Sequence, residues 1–270
     1  SVEQFERLTS GATPFYRRWA VGEGVKAPYT LVTEDQGTWG VSQDEEFVRF
    51  TGQVSEPTSD DINRTLKGID DWTNAWAASM HVSGQKFIVL QMPYATNQYG
   101  TKGVTLLYEF RQKKWFYLYG WDTQAAVPTR WPGWSYYRMW GRDFVGGNGK
   151  VLELKEGTYT NEGVTQRMLG RTGHLDEWGE AEVTNVRAIM KRGVGAGETA
   201  PLFGLRCTRD RKQETRTRMK NMGLAGDRHC VVEFGPMGCA HSFQFEWEVT
   251  DNVDVELIKL EAQVRPIGDR

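Results

Sequence analysis

Residues 103–121 read GVTLLYEFRQKKWFYLYGW. An apolar run, 103–110, meets the polar turn Arg111, Gln112, Lys113, and a second run, 114–119, is dense in aromatics. That pattern is strand, turn, strand. A hairpin of this kind carries an apolar face that it cannot bury alone. Several such units become stable by packing side by side, as the blades of a β-propeller do.

Working outward, the same pattern recurs at irregular spacing. Upstream, 76–82 and 85–92 flank the two-residue turn Ser83–Gly84. Residues 37–41 and 46–51 flank Ser42, Gln43 and Asp44, and 29–33 reads as a further strand. Downstream, 136–140, 144–145 and 150–154 make a small sheet whose turn uses Gly146, Gly147 and Gly149. Strands follow at 164–169, 182–191, 203–208, 229–234, 241–249 and 253–261, with 214–220 as the antiparallel partner of 203–208. Residues 121–135, with Pro128, Pro132 and Gly133, read as an irregular connector. Residues 2–8 are able to form a short helix, and the one helix expected of the chain is at 58–69. There Thr58 or Ser59 caps the start, Asp60 and Asp61 occupy the first turn, and Ile62, Leu66 and Ile69 recur at helical spacing. The expected fold is all-β and β-propeller-like, made of repeated small antiparallel sheets with one short helix, in a single domain over 1–270.

Composition agrees. The 12% aromatic content and 30 glycines suit short strands joined by tight turns. A net charge of −2 argues against electrostatic nucleic-acid binding by the molecule as a whole. Cys207, Cys230 and Cys239 form no CxxC pair and have no His at zinc spacing, so buried reduced thiols are the plain reading; a Cys230–Cys239 bridge is the weaker alternative.

Two patches stand out as candidate interfaces. Between residues 184 and 220 ten Lys or Arg face three acids, leaving the remainder of the chain acidic. Arg206, Arg209, Arg211, Lys212, Arg216 and Arg218 are its centre, and they suit an acidic protein partner or phosphate. A solvated strand face explains the same run. The second patch is aromatic: Trp131, Trp134, Tyr136 and Tyr137. Aromatic loops stack on sugars or anchor partners, whereas packing between blades needs no ligand. No catalytic or metal residue is assigned. His81, His174, His229 and His241 lack metal or triad spacing, GVGAG at 193–197 lacks the Lys-Ser/Thr of a phosphate loop, and no rule brings two carboxylates together. No cofactor and no enzymatic activity are expected.

Three patterns in order carry a resemblance: GTWGVSQDEEFVRFTG with EPTSDDINRTL; HVSGQKFIVLQMP with LLYEFRQKKWFYLYGW; and GNGKVLELKEGTYTNEG, FGLRCTRDRKQETRTRMKNMG and FQFEWEVTDNVDVELIKLEAQV. Together, over most of 30–265, they resemble the tail hub, or packaged-DNA stabilisation, proteins of short-tailed bacteriophages. Where that family tends to carry a Ser-x-Asp-Gly-Gly-x-x-Trp turn, this chain keeps Thr208 and Asp210 but has Arg211 and Lys212 in place of the glycines. The resemblance implies a structural virion protein of the tail, assembled in the host cytoplasm. It implies self-association into a ring, expected to be a hexamer, with a portal or adaptor ring above and a tail needle or tailspike below. DNA would pass through the channel without sequence-specific binding. The chain begins at Ser1 and is short for a whole hub, so the expectation is the C-terminal part of a longer protein. The alternative class is a glycan-binding or glycan-hydrolysing propeller, sialidase-like or a depolymerase, for which Thr208-x-Asp210 is a remnant of an Asp-box-like turn.

Overall fold

The structure, a computed structural model, describes residues 2–7, 15–21, 24–34, 37–51, 54–82, 84–147, 149–155, 157–158, 160–192, 200–211, 213–214, 216–223 and 229–267. It divides into two compact units, 1–156 and 157–270.

Unit 1 begins with a hairpin, β1 (Val2–Arg7) and β2 (Phe15–Val21), where residues 2–8 read as able to form a short helix. Pro28–Thr30 is a single 3-10 turn, not the start of a strand, because the proline ring presets the turn dihedral. A four-stranded meander follows: β3 (Val32–Glu34), β4 (Gly37–Val41), β5 (Phe47–Thr51) and β6 (Val54–Pro57). The expected helix is present as a 3-10 turn, Asp60–Ile62, running into α1 (Asn63–Lys67). The second meander holds β7 (Trp76–Val82), β8 (Gln85–Thr96), β9 (Lys102–Glu109) and β10 (Lys114–Tyr117). The connector expected over 121–135 contains a hairpin instead, β11 (Tyr119–Asp122) with β12 (Val127–Arg130). Pro128 is tolerated there because a two-stranded hairpin is all edge. A three-stranded meander closes the unit: β13 (Ser135–Met139), β14 (Arg142–Gly147) and β15 (Lys150–Leu154). Gly146 and Gly147 lie inside β14 and not in its turns.

The second meander is covered on both faces, as a blade between blades is. Ile88, Leu90 and Met92 of β8 join Trp39, Phe47, Leu66 and Leu106 in one core, while Val89 joins Met80, Trp131 and Val145 in another. Period-2 alternation thus feeds both faces with apolar residues. Gln91, fully buried, is satisfied: its side-chain amide donates to Thr105 Oγ1 at 3.2 Å and Trp131 O at 3.1 Å, and accepts from Trp76 Nε1 at 2.9 Å. The aromatics of 114–119 alternate poorly, which predicts a strand covered on both faces, but coverage is incomplete on β10, and Tyr94 of β8 is 42% exposed as well. Trp115 packs inward on Phe47 and Tyr108, but Phe116 and Tyr117 are 45% and 44% exposed because β10 is the edge strand.

Unit 2 contains β16 (Thr160–Asn161), β17 (Val164–Thr165), β18 (Met168–Arg171), β19 (Ala181–Arg192), β20 (Leu202–Arg209), β21 (Gln213–Glu214), β22 (Arg218–Asn221), β23 (His229–Phe234), β24 (Gly238–Ala240), β25 (Phe243–Val249) and β26 (Val255–Pro266). β16 and β17 form a small hairpin, β18, β25, β20, β21 and β22 a five-stranded sheet, and β23, β19, β24 and β26 a four-stranded one. Phe203, Leu205, Phe243 and Phe245 from the larger sheet share one core with Val186, Met190, Val232 and Phe234 from the other. The fold is therefore all-β, built of small antiparallel sheets, with one short α-helix among the described residues. Cys207 is buried, Cys230 half-buried and Cys239 exposed, and no disulfide joins them.

Candidate functional site

The hairpin rule places directly opposed residues on the same sheet face. His81 and Lys86 oppose each other across β7 and β8, and Arg138 and Asp143 across β13 and β14. These two pairs meet at a cleft of about 340 Å³, whose wall is completed by Arg142, Glu153 and Lys155. Four cations face two acids there.

The floor is held by hydrogen bonds. Tyr136 donates its phenol to Asp143 Oδ1 at 2.5 Å and accepts the His81 backbone N–H at 3.3 Å. Burial, and then that bond to Asp143, push the Tyr136 phenol up, so it stays protonated. Behind the floor, Glu34 of β3 accepts from Ser79 Oγ at 2.6 Å and Lys86 Nζ at 3.1 Å, with His81 Nε2 at 3.4 Å. The bond from Ser79 leads, outweighing burial with help from Lys86 and His81, and brings the Glu34 carboxyl down to about 2. A carboxylate lowered on folding stabilises the protein above its usual value and loses that contribution as pH falls through the folded one. Glu34→Gln is therefore expected to cost about 2 kcal/mol at neutral pH, the shift being discounted for solvent screening, and the two proteins should converge only below about pH 2. Urea melting of both proteins across that range checks this.

The arginines in front are held loosely. Arg138 Nε is 3.7 Å from Asp143 Oδ1, and Arg142 Nη1 is 3.8 Å from Glu153 Oε2, with side chains 51% and 65% exposed. Exposed pairs this long contribute little, which leaves both guanidinium forks ready for another carboxylate, sulfate or phosphate. Asp143 opposes both Arg138 and Leu154, whereas Glu153 opposes Phe144 and shares the face of Arg142, so the two acids are not a facing pair, and the two arginines line the cleft from opposite faces of the hairpin. Between the arginines the turn is Trp140–Gly141, with φ of 52° and 73°. This turn class prefers Asn-Gly. A tryptophan in the left-handed region costs roughly 1–2 kcal/mol, yet Trp140 is 86% exposed and recovers nothing by burial.

The aromatic candidates are split by the fold. Trp131 is 5% exposed and belongs to the core, so its ring presents no interface, and Tyr136 packs against that same core. Trp134 is 36% exposed beneath Arg130, whose guanidinium lies 3.8 Å from its ring, and Tyr137 stacks on Phe144 at 5.6 Å. Trp140 was not singled out from sequence; the signal was a Trp-Gly pair between two strands, where Asn-Gly is the usual hairpin pair.

The basic candidates lie on unit 2, and cross-strand pairing dilutes them. Arg187 pairs with Glu233, Lys191 with Glu256, and Arg206 with the buried Glu246. Arg209 is half-buried against Gly238, and Arg218 donates to Gly235 O at 3.3 Å. Arg211 and Arg216 are exposed, and Lys212 lies outside the described residues. Asp210 accepts the backbone N–H groups of His241 and Ser242 at 2.8 and 3.0 Å, so the Asp-box-like remnant is a turn clamp. The segment 193–197 also lies outside the described residues. Among the described residues no cluster of His, Cys, Asp and Glu is arranged to hold a metal.

No protein-family model matches the chain, and no curated protein does. Among solved structures the chain is similar to a glycoside hydrolase family 43 arabinoxylan arabinofuranohydrolase from Bacillus subtilis, at 9% identity and a TM-score of 0.29, over 95% of this chain and 57% of that one. This chain thus spans little more than half of that enzyme's length. A likeness at this score assigns neither a reaction nor a substrate. It does correct one expectation: the matched protein is an enzyme, and the exclusion of enzymatic activity drawn from sequence is withdrawn.

Proposed function

We propose that unit 1 is a glycan-binding module whose cleft takes an acidic sugar residue. The observation that carries this reading is the pair of loosely held arginines, Arg138 and Arg142, on either side of the exposed and strained Trp140. A guanidinium fork recognises a carboxylate in two-point fashion, and an indole offers its face to the apolar side of a sugar ring. Backbone strain without compensating burial is retained where a side chain is needed in place.

The test is a calorimetric titration with a uronic-acid oligosaccharide and with its carboxyl-reduced counterpart. Binding of the acidic form, weakened at least tenfold in Arg138→Ala/Arg142→Ala and in Trp140→Ala with unchanged melting, is the expected result; about 1.4 kcal/mol corresponds to that factor. Equal affinity for both forms, or none for either, overturns the reading.

The tail-hub reading is retained as the second proposal. What favours it is the stacking in unit 1 of meanders that have the strand order of propeller blades, together with the order of the sequence patterns. Its ring predicts a discrete multimer of the purified chain by mass photometry, and a strictly monomeric species at micromolar concentration counts against it.

A further inference from the structure

We propose a second saccharide site on unit 1, at the tyrosine-lined cleft between α1 and the β8–β9 turn, which takes one neutral sugar ring. It stands on other residues than the acidic cleft and does not depend on it. The cleft measures about 260 Å³ and is lined by Arg64, Thr65, Ile69, Gln98, Tyr117 and Tyr119, among others. That is just below the roughly 300–1,000 Å³ of drug-sized sites, and fits a single ring.

Alternation carried across the junction of β10 and β11 builds the platform. Tyr117 and Tyr119 flank Leu118, which turns into the core, so both tyrosines are thrown to the other side. Their rings are parallel within 4°, with centroids 5.9 Å apart. A flat ligand sandwiched between two rings needs about 7 Å, two contact distances of 3.5 Å. The spacing is too small for that, so the rings act together as one extended surface and not as the jaws of a base-binding slot.

The platform is fixed in advance. Thr65 Oγ1 and the Tyr117 hydroxyl are 2.5 Å apart, Gln98 Nε2 donates to the Tyr119 hydroxyl at 3.4 Å, and Tyr99 braces Tyr119 edge-on at 5.5 Å. Burial, with Tyr99 and Tyr117 alongside, pushes the Tyr119 phenol far above its usual range, so it stays neutral at any pH of use. The wall is equally rigid. Asn97 uses its amide on Thr101 Oγ1 and Gly103 O and its carbonyl on the N–H groups of Tyr99 and Thr101. Asp70 accepts both the N–H and the hydroxyl of Thr96 at 2.7 Å, so its charge is spent on the turn. Preorganisation lowers the entropy lost on binding. Around the rings stand neutral donors and acceptors, Thr65 and Gln98, and one exposed cation, Arg64, for which no ion pair is present among the described residues. Apolar faces beside hydroxyl- and amide-bearing edges match a pyranose, which has C–H faces and an equatorial rim of hydroxyls.

The experiment uses the full chain with methyl β-glucopyranoside, methyl β-galactopyranoside and AMP as probes, read by saturation-transfer NMR and by tyrosine fluorescence. At least one glycoside is expected to bind saturably. Its affinity should fall at least about tenfold in Tyr117→Ala, the size of an aromatic contact, and stay within about threefold in Tyr117→Phe, which keeps the ring. Arg138→Ala/Arg142→Ala should leave glycoside binding unchanged, so failure of this site and failure of the acidic cleft are read separately. Should Tyr117→Ala melt early, Tyr117→Ser and Gln98→Ala, both at exposed positions, take its place. No saturable binding of either glycoside, binding indifferent to Tyr117, or AMP binding more tightly than both sugars overturns the proposal.

Discussion

Trp39→Ala is expected to destabilise the protein by about 3–5 kcal/mol, the range for removing a large buried aromatic. Trp39, on β4, is 5% exposed and is the point where the two four-stranded meanders meet. Its ring lies 6.4 Å from Phe47 of its own sheet, and 5.6 and 5.2 Å from Tyr108 and Phe110 of the next. The Arg49 guanidinium covers it at 5.5 Å, and its indole N–H donates to Glu34 O at 3.3 Å. Alanine removes the apolar surface, leaves a cavity between rigid sheets, and strands the Glu34 carbonyl. Because Glu34 also anchors Ser79 and Lys86 behind the basic cleft, glycan binding should weaken along with stability. Trp39→Phe separates these terms: it keeps most of the ring and loses the hydrogen bond, and should cost about 1–2 kcal/mol. Equilibrium urea unfolding is the measurement. A cost below about 1 kcal/mol for Trp39→Ala would mean that the meanders do not share a core.

Most strands were legible because their apolar residues alternate and their turns are short. Residues 76–82 against the start of β8, and the strand at 37–41, have the bounds that alternation gives. The errors have physical causes. At 2–7 a mixed polar sequence of neutral propensity took strand form by pairing with 15–21, a partner that local reading does not see. At 121–135 the prolines concealed a hairpin, since an edge position tolerates them. The site was harder to read, because its members are distant in sequence. Glu34, His81, Lys86 and Arg138 converge from three sheets, and only the sheet register brings them together. The tyrosine cleft was hidden inside the very stretch that decided the fold: its aromatics read as core, and only the edge position of β10 exposes Tyr117. The basic run misled in the opposite way. Charge that is concentrated in sequence is spread by antiparallel pairing, which sets Arg187, Lys191 and Arg206 against acids from three other strands.

Arg206 shows what that pairing implies for unit 2. Glu246, 6% exposed on the central strand β25, faces Arg171 on one side and Arg206 on the other, each directly opposite in the ladder. Arg171 Nε donates to its Oε2 at 2.7 Å and Arg206 bonds its Oε1. Burial pushes the Glu246 carboxyl up, but the two arginines more than reverse this, and the net shift is downward. Removing a buried partner from an ion pair costs about 3–5 kcal/mol. Glu246→Ala should fall at the lower end, since the side chain of Arg171 is 53% exposed and can return to water. The pH dependence has a definite sign. A folded value below the unfolded one means that the unfolded chain takes up the proton first as pH falls. The contribution of Glu246 is therefore complete above the usual carboxylate value of about 4.3 and is lost in more acid solution, so wild type and Glu246→Gln should converge there. Two curves that stay parallel from pH 7 to 3 would show that the carboxylate is not held by its arginines. The same experiment sorts the basic candidates. Arg206→Ala should destabilise unit 2 by about 2–3 kcal/mol by leaving Glu246 half-paired. Arg211→Ala and Arg216→Ala, at exposed positions, should change melting by less than about 0.5 kcal/mol. An assembly or binding defect in those two variants would then be a property of the surface, whereas the same defect in Arg206→Ala would report a loosened sheet.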